Sequence, residues 1–328
     1  MLTIPHYTGA AAGSKYGAGA GTEENTMKQK IPYFKSEQIA KGSWMISNAF
    51  TARTPALCYL IEGENYALLI DTMMGWGDLN AYCKTLTDKP VLLANTHAHP
   101  DHTGGNFHFD ACWLHWRDIP FFQASLGYKK QEVFEQARQA ALPEYRDLME
   151  DDGSFADADP IRVYPLRDGD VFDLGGRQID VVWAGGHTPG SIVLIDRLTR
   201  IAYTGDACNG NTLLEFANSL PVSVYMKSLL RLKERQKDFD KCYGGHEIFD
   251  SSIVDEAVET VAKVLAGTDA KCRRPGFLGG DTFYAAEKIP DGYERVDGKL
   301  FNMSYNPDRI MGDDVLKQVI TPEPPRMI

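Results

Sequence analysis

Three histidines stand close together directly after a run of apolar residues, and this cluster constrains the chain more than any other feature. His97, His99 and His102 are three of only eight histidines in 328 residues, and Asp101 lies among them. Side chains two residues apart on an extended segment project to the same side. Imidazole nitrogens and carboxylate oxygens are ligands for Zn²⁺ and similar divalent ions. The cluster therefore predicts a metal site at the end of a strand, dense enough for two ions.

Three further segments repeat this construction farther along the chain. In each, an apolar strand-like run leads into a turn that contains glycine and one residue able to bind a metal. Strand ends hold side chains rigidly, and a neighbouring glycine lets the backbone approach a site closely. Alone, the histidine and the aspartate of the first two segments would be assigned to an ordinary loop, core or turn position, and the histidine of the third would fit either assignment. Only the whole set indicates metal binding. The three residues are His187, Asp206 and His246.

The ordered set of these residues resembles that of the metallo-β-lactamase fold superfamily of dinuclear hydrolases, over roughly residues 40 to 250. The resemblance implies an α/β fold, a four-layer αββα sandwich, with the site along one edge of its paired sheets. The resemblance implies that His97, His99 and His187 bind the first metal and that Asp101, His102 and His246 bind the second. It also implies that Asp206 bridges the two metals.

The same resemblance implies the cofactors and one supporting residue. Two divalent metal ions are expected, with zinc first and iron or manganese as alternatives, because the same ligands accept each of them according to supply. Asp71, in the segment Leu68–Thr72, also matches a motif of the superfamily. It is expected to orient a ligand histidine or its loop without binding the metal itself, since metal-bound imidazoles need such partners.

The resemblance also implies a reaction. Two cations that share a solvent molecule lower its pKa, so that a bridging hydroxide is available near neutral pH. This hydroxide would attack an ester-like group of a small molecule, which leaves a thioester, a lactone, a carboxylic ester and a phosphodiester open as substrates. Asp101 is the candidate catalytic residue, because it can orient the nucleophile and pass its proton to the leaving group.

The subfamily stays unassigned, and two other functions stay open. Residues 207–216 depart from the patterns of glyoxalase II and of acyl-homoserine lactonases, so no substrate-binding residue is assigned. A sulfur dioxygenase with a similar histidine-rich motif would bind one iron instead of two metals. A flavin–di-iron protein is disfavoured because an acidic residue is expected where His99 stands. A non-catalytic metal-binding scaffold is the remaining alternative, and the complete ligand set argues against it.

Composition narrows the choice of partners. The chain has 34 Lys and Arg against 45 Asp and Glu, and its formal net charge of −11 disfavours nucleic acid because phosphate backbones are repelled. No apolar stretch approaches the roughly 20 residues that a bilayer span needs. The six cysteines lack CxxC spacing, which favours reduced thiols and a cytoplasmic protein. A small-molecule substrate is therefore expected, and the sequence does not indicate the oligomeric state.

The chain divides into three parts by sequence. Residues 1–30 are rich in glycine and alanine and are predicted to be a flexible segment. Residues 31–266 alternate strand-like and helix-like runs, as expected for an α/β catalytic domain. Residues 267–328 are predicted to be a small irregular or hairpin extension, which acts as a lid or a packing arm. The helices are predicted over residues 78–86, 131–149, 222–237 and 255–266.

Two groups of residues outside the ligand set have open roles. Arg273 and Arg274 form a basic turn in an acidic protein, which is either a solvated loop or a loop that folds over the site and attracts an anionic substrate. Aromatic residues after the histidine cluster, and apolar residues after Asp206, either pack in the core or form a wall of a substrate site. These aromatic and apolar residues are Trp113, Trp116, Phe121, Phe122, Leu213, Leu214 and Phe216.

Overall fold

The part of the chain that the structure describes leaves out both ends and several internal segments. The computed structural model describes residues 33–48, 56–125, 135, 138–139, 141–146, 161–276, 280–289 and 294–312. The predicted flexible segment 1–30 lies outside the described residues, as does most of the predicted helix 131–149. Within the described part, no helix is both long enough and apolar enough to cross a membrane.

The first of two large sheets has seven strands that follow one another in sequence order. They are β1 (Phe34–Ala40), β2 (Ser43–Asn48), β3 (Leu57–Glu62), β4 (Ala67–Ile70), β5 (Val91–Ala94), β6 (Ala111–His115) and β7 (Arg162–Leu166). Strands β1 to β4 form an antiparallel meander, and β4 to β7 run parallel. Because side chains alternate along a strand, Tyr59 and Ile61 of β3 face the second sheet while Cys58 and Leu60 face outward.

The second large sheet has six strands. In their spatial order they are β8 (Val171–Asp173), β9 (Gln178–Trp183), β10 (Ile192–Asp196), β11 (Ile201–Gly205), β13 (Lys241–Gly244) and β14 (Ile248–Asp250). Strands β11 and β13 pair in parallel, and the other neighbours are antiparallel. Strands β9, β11 and β13 therefore run in one direction, so their carboxyl ends meet at the same edge of the sheet.

Helices cover the outer faces of both sheets. In the described residues the α-helices are α1 (Leu79–Cys83), α2 (Pro100–Thr103), α3 (Ile119–Ser125), α4 (Pro143–Arg146), α5 (Val222–Glu234) and α6 (Ile253–Ala266). Helix α1 packs on the first sheet, and α5 and α6 pack on the second. Between the sheets lie side chains such as Ile70 and Leu194, each of which contributes roughly 1.5–3 kcal/mol through burial. The predicted αββα sandwich is confirmed.

Four strands form a third, smaller sheet that joins the end of the described chain to its body. In chain order they are β12 (Asn211–Leu214), β15 (Cys272–Pro275), β16 (Asp281–Tyr284) and β17 (Asn302–Tyr305). Strands β15 and β16 form a hairpin, and β17 lies between β16 and β12, parallel to β12. The segment predicted to be an irregular or hairpin extension thus contains a hairpin and one further strand, which pairs with the body of the protein.

A buried arginine joins the two large sheets at the end away from Asp206. Arg177, in the turn between β8 and β9, forms an ion pair with Asp196 of β10. Its guanidinium also donates to the carbonyl oxygens of Gly42 (2.9 Å) and Glu62 (3.0 Å) in the first sheet. Because a buried charge is costly unless it is paired and hydrogen-bonded, these contacts favour one alignment of the sheets.

Candidate metal centre

Strand ends from both large sheets deliver the predicted ligands to one edge of the sandwich. His97 and His99 follow β5 of the first sheet. In the second sheet, His187, Asp206 and His246 follow the carboxyl ends of β9, β11 and β13. These three ends meet at one edge because their strands run in the same direction, so residues far apart in the sequence become neighbours.

Helix α2 supplies the two remaining ligands. His99 stands at its N-cap with an extended backbone, and Pro100 is the first helical residue. The fixed φ of proline suits that position, and its missing N–H costs no helical hydrogen bond. The turn that begins there presents Asp101 and His102 toward the same edge. The side chain of His102 is 1% exposed and that of Asp101 is 35% exposed.

The predicted ligands of the first metal lie within contact distance of one another. Nδ1 of His99 is 3.1 Å from Nε2 of His97 and 2.8 Å from Nε2 of His187. The three rings meet nearly edge to face, with interplanar angles of 82° and 88° at His99. One nitrogen from each of the three rings therefore points at a common space, where all lie within 4.8 Å of one another.

The predicted ligands of the second metal form an adjoining group. Oδ2 of Asp101 lies 3.3 Å from Nε2 of His246 and 3.7 Å from Nε2 of His102. Asp206 stands between the two groups: its Oδ1 is 3.6 Å from Nε2 of His102, and its Oδ2 is 3.7 Å from Nε2 of His187. The structure thus brings all seven predicted ligands together, and their binding of metal stays a prediction.

Hydrogen bonds on the far side of the rings fix how two of these imidazoles point. Nδ1 of His187 donates to the carbonyl oxygen of Leu213 at 2.7 Å. Nδ1 of His102 donates to Oδ2 of Asp71 at 2.8 Å. In both rings Nε2 is then directed into the cluster. Such partners are typical of metal-binding histidines, because they set the tautomer and the ring orientation.

Asp71 adopts a backbone conformation that most residues avoid. Its φ is 64°, in the left-handed region that aspartate tolerates better than most side chains. Its Oδ1 accepts from the backbone N–H of Thr96 at 2.7 Å, and its Oδ2 accepts from the Thr96 hydroxyl at 2.7 Å as well as from His102. The carboxylate therefore contacts both the start of the histidine segment and one histidine ring, and its orienting role stays a prediction.

Burial and charge divide the histidines into two kinds. Burial lowers the pKa of His97 well below its usual value, and it lowers the pKa of His99 to about 3, so both rings are neutral and able to bind a cation. Burial also disfavours the charged form of His102, but the carboxylates of Asp101 and Asp206 outweigh it and raise the pKa of His102 to about 9. A bound cation would therefore compete with a proton at His102.

Two buried atoms in the centre lack hydrogen-bond partners among the described residues. They are Nε2 of His102 and Oδ1 of Asp206. An unpaired buried polar group costs about 1–3 kcal/mol, so such atoms call for a partner that the protein itself does not supply. Imidazole nitrogens and carboxylate oxygens at this spacing match the ligand preferences of zinc, iron and manganese. The residues present therefore fit a pair of divalent ions.

A glycine next to His246 allows the backbone to pass close to the centre. A Cβ atom at Gly245 would stand 2.3 Å from Cε1 of His102 and 2.8 Å from Oδ1 of Asp206. Those contacts are with buried groups that cannot move away without disturbing the cluster. At Gly245 the absence of a side chain therefore lets the backbone lie against the site, as predicted from the sequence.

Aromatic rings border the first group of ligands. The ring centroid of Phe216 is 5.3 Å from that of His99, and that of Phe121 is 5.8 Å from the same imidazole. Phe121 is 36% exposed, whereas Phe122 is buried in a small apolar cluster with Leu114. Of the candidate substrate-wall residues, Phe121 and Phe216 therefore lie next to the centre, while Phe122 packs in the core.

Arg273 and Arg274 do not form the predicted basic turn: both lie in strand β15 of the third sheet and pair with β16. Arg273 is exposed and forms an ion pair with Asp281 of the neighbouring strand. Arg274 donates to the carbonyl oxygen of Lys288 at 3.0 Å. That these two arginines attract an anionic substrate stays a prediction.

Sequence reasoning missed one buried carboxylate beside the centre. Asp118, in the turn after β6, is 0% exposed, and its oxygens accept hydrogen bonds from Ala98 and Thr188, each next to a histidine of the first group. Burial raises the pKa of Asp118 to about 6. A single aspartate after a strand carries no signal in the sequence, because only the packing of α3 and the loops shows that it is buried.

Fold and site together define the class: an αββα sandwich with a centre of histidines and aspartates at the edge of its sheets. The family model described as the metallo-beta-lactamase superfamily matches residues 52–246, more than half of the chain. The chain belongs to this superfamily.

Among curated proteins, the chain is similar to the acyl-coenzyme A thioesterase MBLAC2 of several vertebrates. It is 26% identical to the Gallus gallus protein over 226 residues, which cover 62% of this chain and 76% of the relative. It is 26% identical to the Homo sapiens protein over 215 residues, which cover 58% of this chain and 72% of the relative.

Solved structures share the fold at lower identity. A metallo-beta-lactamase from Pontibacter korlensis aligns with a TM-score of 0.52 at 18% identity, over 70% of this chain and 99% of that one. A metallo-beta-lactamase from Erythrobacter litoralis aligns with a TM-score of 0.51 at 17% identity, over 71% and 98%. At these identities the likeness shows the fold alone.

Proposed function

We propose that this protein is a metal-dependent hydrolase that cleaves a thioester or a related ester bond of a small molecule. The observation that carries the proposal is that two groups of candidate ligands meet at one carboxylate, Asp206. Two buried atoms of this centre have no hydrogen-bond partner among the described residues. The similarity to proteins named acyl-coenzyme A thioesterases makes an acyl thioester the first substrate to test.

Two divalent ions are the proposed cofactors, with zinc as the expected metal and iron or manganese as fitting alternatives. The residues proposed to hold them are His97, His99 and His187 for one ion, Asp101, His102 and His246 for the other, and Asp206 for both. When bound, such ions lower the pKa of a shared water and so supply a hydroxide near neutral pH, and they polarise the carbonyl that it attacks.

Asp101 is the proposed catalytic residue of the chain. Its side chain is more exposed than those of three neighbouring proposed ligands, at 35% against 17% for His246, 12% for Asp206 and 1% for His102. Its carboxylate therefore faces the side from which a substrate enters. There it can orient the attacking hydroxide toward the carbonyl, take up the proton that the hydroxide still carries and pass that proton to the departing sulfur or oxygen.

A reducing compartment, the cytoplasm, is the proposed location. All six cysteines are free, and five of them are buried. Burial raises the pKa of Cys83 to about 12 and that of Cys242 to about 12, so these thiols are protonated and unreactive. They behave as small apolar side chains, as expected of a protein that does not rely on disulfides.

Metal analysis combined with a hydrolase panel tests the proposed function. The purified chain is measured for metal content and then assayed on thioesters, carboxylic esters, lactones and phosphodiesters. We expect about two metals per chain, turnover of a thioester or ester, loss of turnover after chelation and recovery on adding zinc. A single iron with oxygen-dependent turnover would favour a dioxygenase instead. Fully loaded protein without turnover on the whole panel would contradict the proposal.

A further inference from the structure

Asp118 occupies a fully buried position between two loops that carry histidines of the first group. Its Oδ2 accepts from the backbone N–H of Ala98 at 3.1 Å and from the hydroxyl of Thr188 at 2.7 Å. Its Oδ1 accepts from the backbone N–H of Gly190 at 2.6 Å. A buried ionised carboxylate needs such donors, and hydrogen bonds to a charged acceptor are stronger than neutral ones.

The donors belong to segments of different sheets. Ala98 lies between His97 and His99, in the loop after β5 of the first sheet. Thr188 follows His187, in the loop between β9 and β10 of the second sheet. The three histidines of the first group therefore come from two loops, and Asp118 bonds to the residue next to each of them.

Packing around the carboxylate leaves little room for the two loops to shift. A Cβ atom at position 190 would stand 2.6 Å from Cγ of Asp118, so Gly190 allows the backbone to lie against the carboxylate. One backbone hydrogen bond, from Ile192 N to the carbonyl oxygen of Thr96 at 2.9 Å, also joins these loops. Asp118 adds three hydrogen bonds between these loops, and two of the donors, Ala98 and Thr188, are directly next to histidines of the first group.

We propose that Asp118 is a positioning residue that fixes the spacing between the His97–His99 segment and His187, and so shapes the binding site for the first metal alone. This inference rests on the proposed function, because it assumes that these histidines bind a metal. The hydrogen bonds to the Asp118 carboxylate come from Ala98, Thr188 and Gly190, which are neighbours of the proposed ligands in the chain. Its loss should therefore weaken the first metal and leave the second, held by Asp101, His102 and His246, in place.

Two substitutions remove these bonds with little change of volume. In Asp118→Asn, the amide carries a donor on one side. In either orientation its N–H therefore faces another donor, which is the N–H of Gly190 on one side or the N–H of Ala98 and the hydroxyl of Thr188 on the other. Thr188→Val removes the hydroxyl that donates to Asp118. Thr188→Ser keeps that hydroxyl and serves as the conservative variant, which separates loss of the bond from loss of the methyl group.

A second buried carboxylate gives a matched control. Asp196 is also 0% exposed, and it pairs with Arg177 at the opposite end of the sheets. Asp196→Asn should lower thermal stability without changing the affinity for either metal. The comparison separates a local effect on the first metal from a general loss of stability.

The test measures the affinity of both metals in the full chain, by competition with a chelator for zinc and by the visible spectrum of the cobalt-loaded protein. For Asp118→Asn and Thr188→Val we expect the affinity for one ion to fall roughly 10–100-fold, the range for loss of an outer hydrogen-bond partner, with the other ion unchanged. Thr188→Ser and Asp196→Asn should bind both ions like the wild type.

Either of two results would overturn the inference. One is wild-type affinity for both ions in Asp118→Asn. The other is equal weakening of both ions in proportion to lost stability. If Asp118→Asn fails to fold, the difference between Thr188→Val and Thr188→Ser decides. Wild-type protein that binds no metal would refute the proposed function itself. If the wild type binds two ions and hydrolyses ester substrates, and the variants bind both ions equally well, only the role of Asp118 is refuted.

Discussion

At the scale of single residues, Asp206 has the central position, because its two oxygens face both groups of candidate ligands. From the sequence, Asp206 is a candidate ligand only together with the other six residues, because a single aspartate after a strand is common. Its side chain is 12% exposed, and no group of the described residues forms a hydrogen bond with its Oδ1. Its removal should therefore affect both ions while releasing the fold from one unsatisfied buried group.

Asp206→Ala is expected to abolish most turnover without unfolding the chain. Losing an outer partner of a metal ligand costs up to about 100-fold, so losing a proposed ligand of both ions should cost more than about 100-fold in kcat/KM. The measurements are turnover on the best substrate of the panel, metal content and the circular dichroism spectrum. Full activity in this variant, with an unchanged spectrum, would refute the assigned role.

Acid should destabilise the metal-free protein through buried histidines such as His115. Burial and the positive charges of Arg117 and Arg167 lower the pKa of His115 to about 3, against about 6.5 in the unfolded chain. The unfolded chain thus binds the proton more readily, so stability is full above about pH 6.5 and is lost as the pH falls toward 3.

His115→Asn tests this dependence. Asparagine does not titrate, so the slope of unfolding free energy against pH should fall by up to about 1.4 kcal/mol per pH unit between pH 4 and 6, the contribution of one proton. Denaturant unfolding of chelated protein at several pH values gives the slope for both proteins. Equal slopes would show that His115 is not held neutral by the fold.

At the scale of elements, the sequence predicts the strands that carry ligands better than the rest of the fold. The apolar runs before the ligand turns become β5, β9, β11 and β13, because buried strands need continuous apolar residues. Strand β1 (Phe34–Ala40) has mostly exposed side chains, so no apolar run in the sequence indicates that this segment pairs in the sheet. Strand β12 (Asn211–Leu214) is short, and its partner β17 lies far along the chain.

The third sheet reaches the candidate centre through β12. Leu213 of β12 provides the carbonyl that holds His187, and Ser219 in the following loop donates to the carbonyl oxygen of His187 at 2.8 Å. Arg309, just beyond β17, donates to the carbonyl oxygens of Phe216 and Ala217 at 3.0 and 2.9 Å and to that of Ser219. The C-terminal strands are therefore connected to one proposed ligand by a short chain of hydrogen bonds.

Arg309→Ala should loosen the loop that contains Phe216 and Ser219. Hydrogen bonds to a charged group contribute about 1.5–3 kcal/mol each when buried, and Arg309 is partly exposed, so we expect a loss of about 1–3 kcal/mol and faster hydrogen exchange across residues 216–219. Arg273→Ala, which breaks an exposed ion pair on the same sheet, is the control and should leave hydrogen exchange across residues 216–219 unchanged. Unchanged exchange in Arg309→Ala would contradict this role.

At the scale of the whole molecule, the candidate ligands come from both sheets, so a bound ion would link them. His97 follows strand β5 of the first sheet, and Asp206 follows strand β11 of the second. Arg177 ties the sheets at the opposite end, and the apolar layer fills the space between. The alternation of strands and helices predicts a layered α/β fold, and the resemblance of the ligand motif to the superfamily implies the sandwich. The contacts that join the two sheets at each end involve residues far apart in the sequence, so they could not be predicted.

Removing metal should lower the melting temperature of the whole domain. A ligand at 100 times its Kd stabilises the folded state by about 2.7 kcal/mol, which corresponds to a rise of several degrees. Chelated protein is titrated with zinc while its thermal unfolding is followed. The rise should shrink in His97→Ala, which lacks one proposed ligand. A melting temperature that does not respond to chelation or zinc would contradict a metal shared between the sheets.

The most direct measurement is anomalous diffraction from crystals grown with zinc, recorded on both sides of the zinc absorption edge. Two anomalous peaks are expected at the edge of the sandwich, one among His97, His99 and His187 and the other beside His102 and His246, with Asp206 in contact with both. A map without peaks at this edge, or with zinc bound only elsewhere on the chain, would contradict the dinuclear centre and the hydrolysis built upon it.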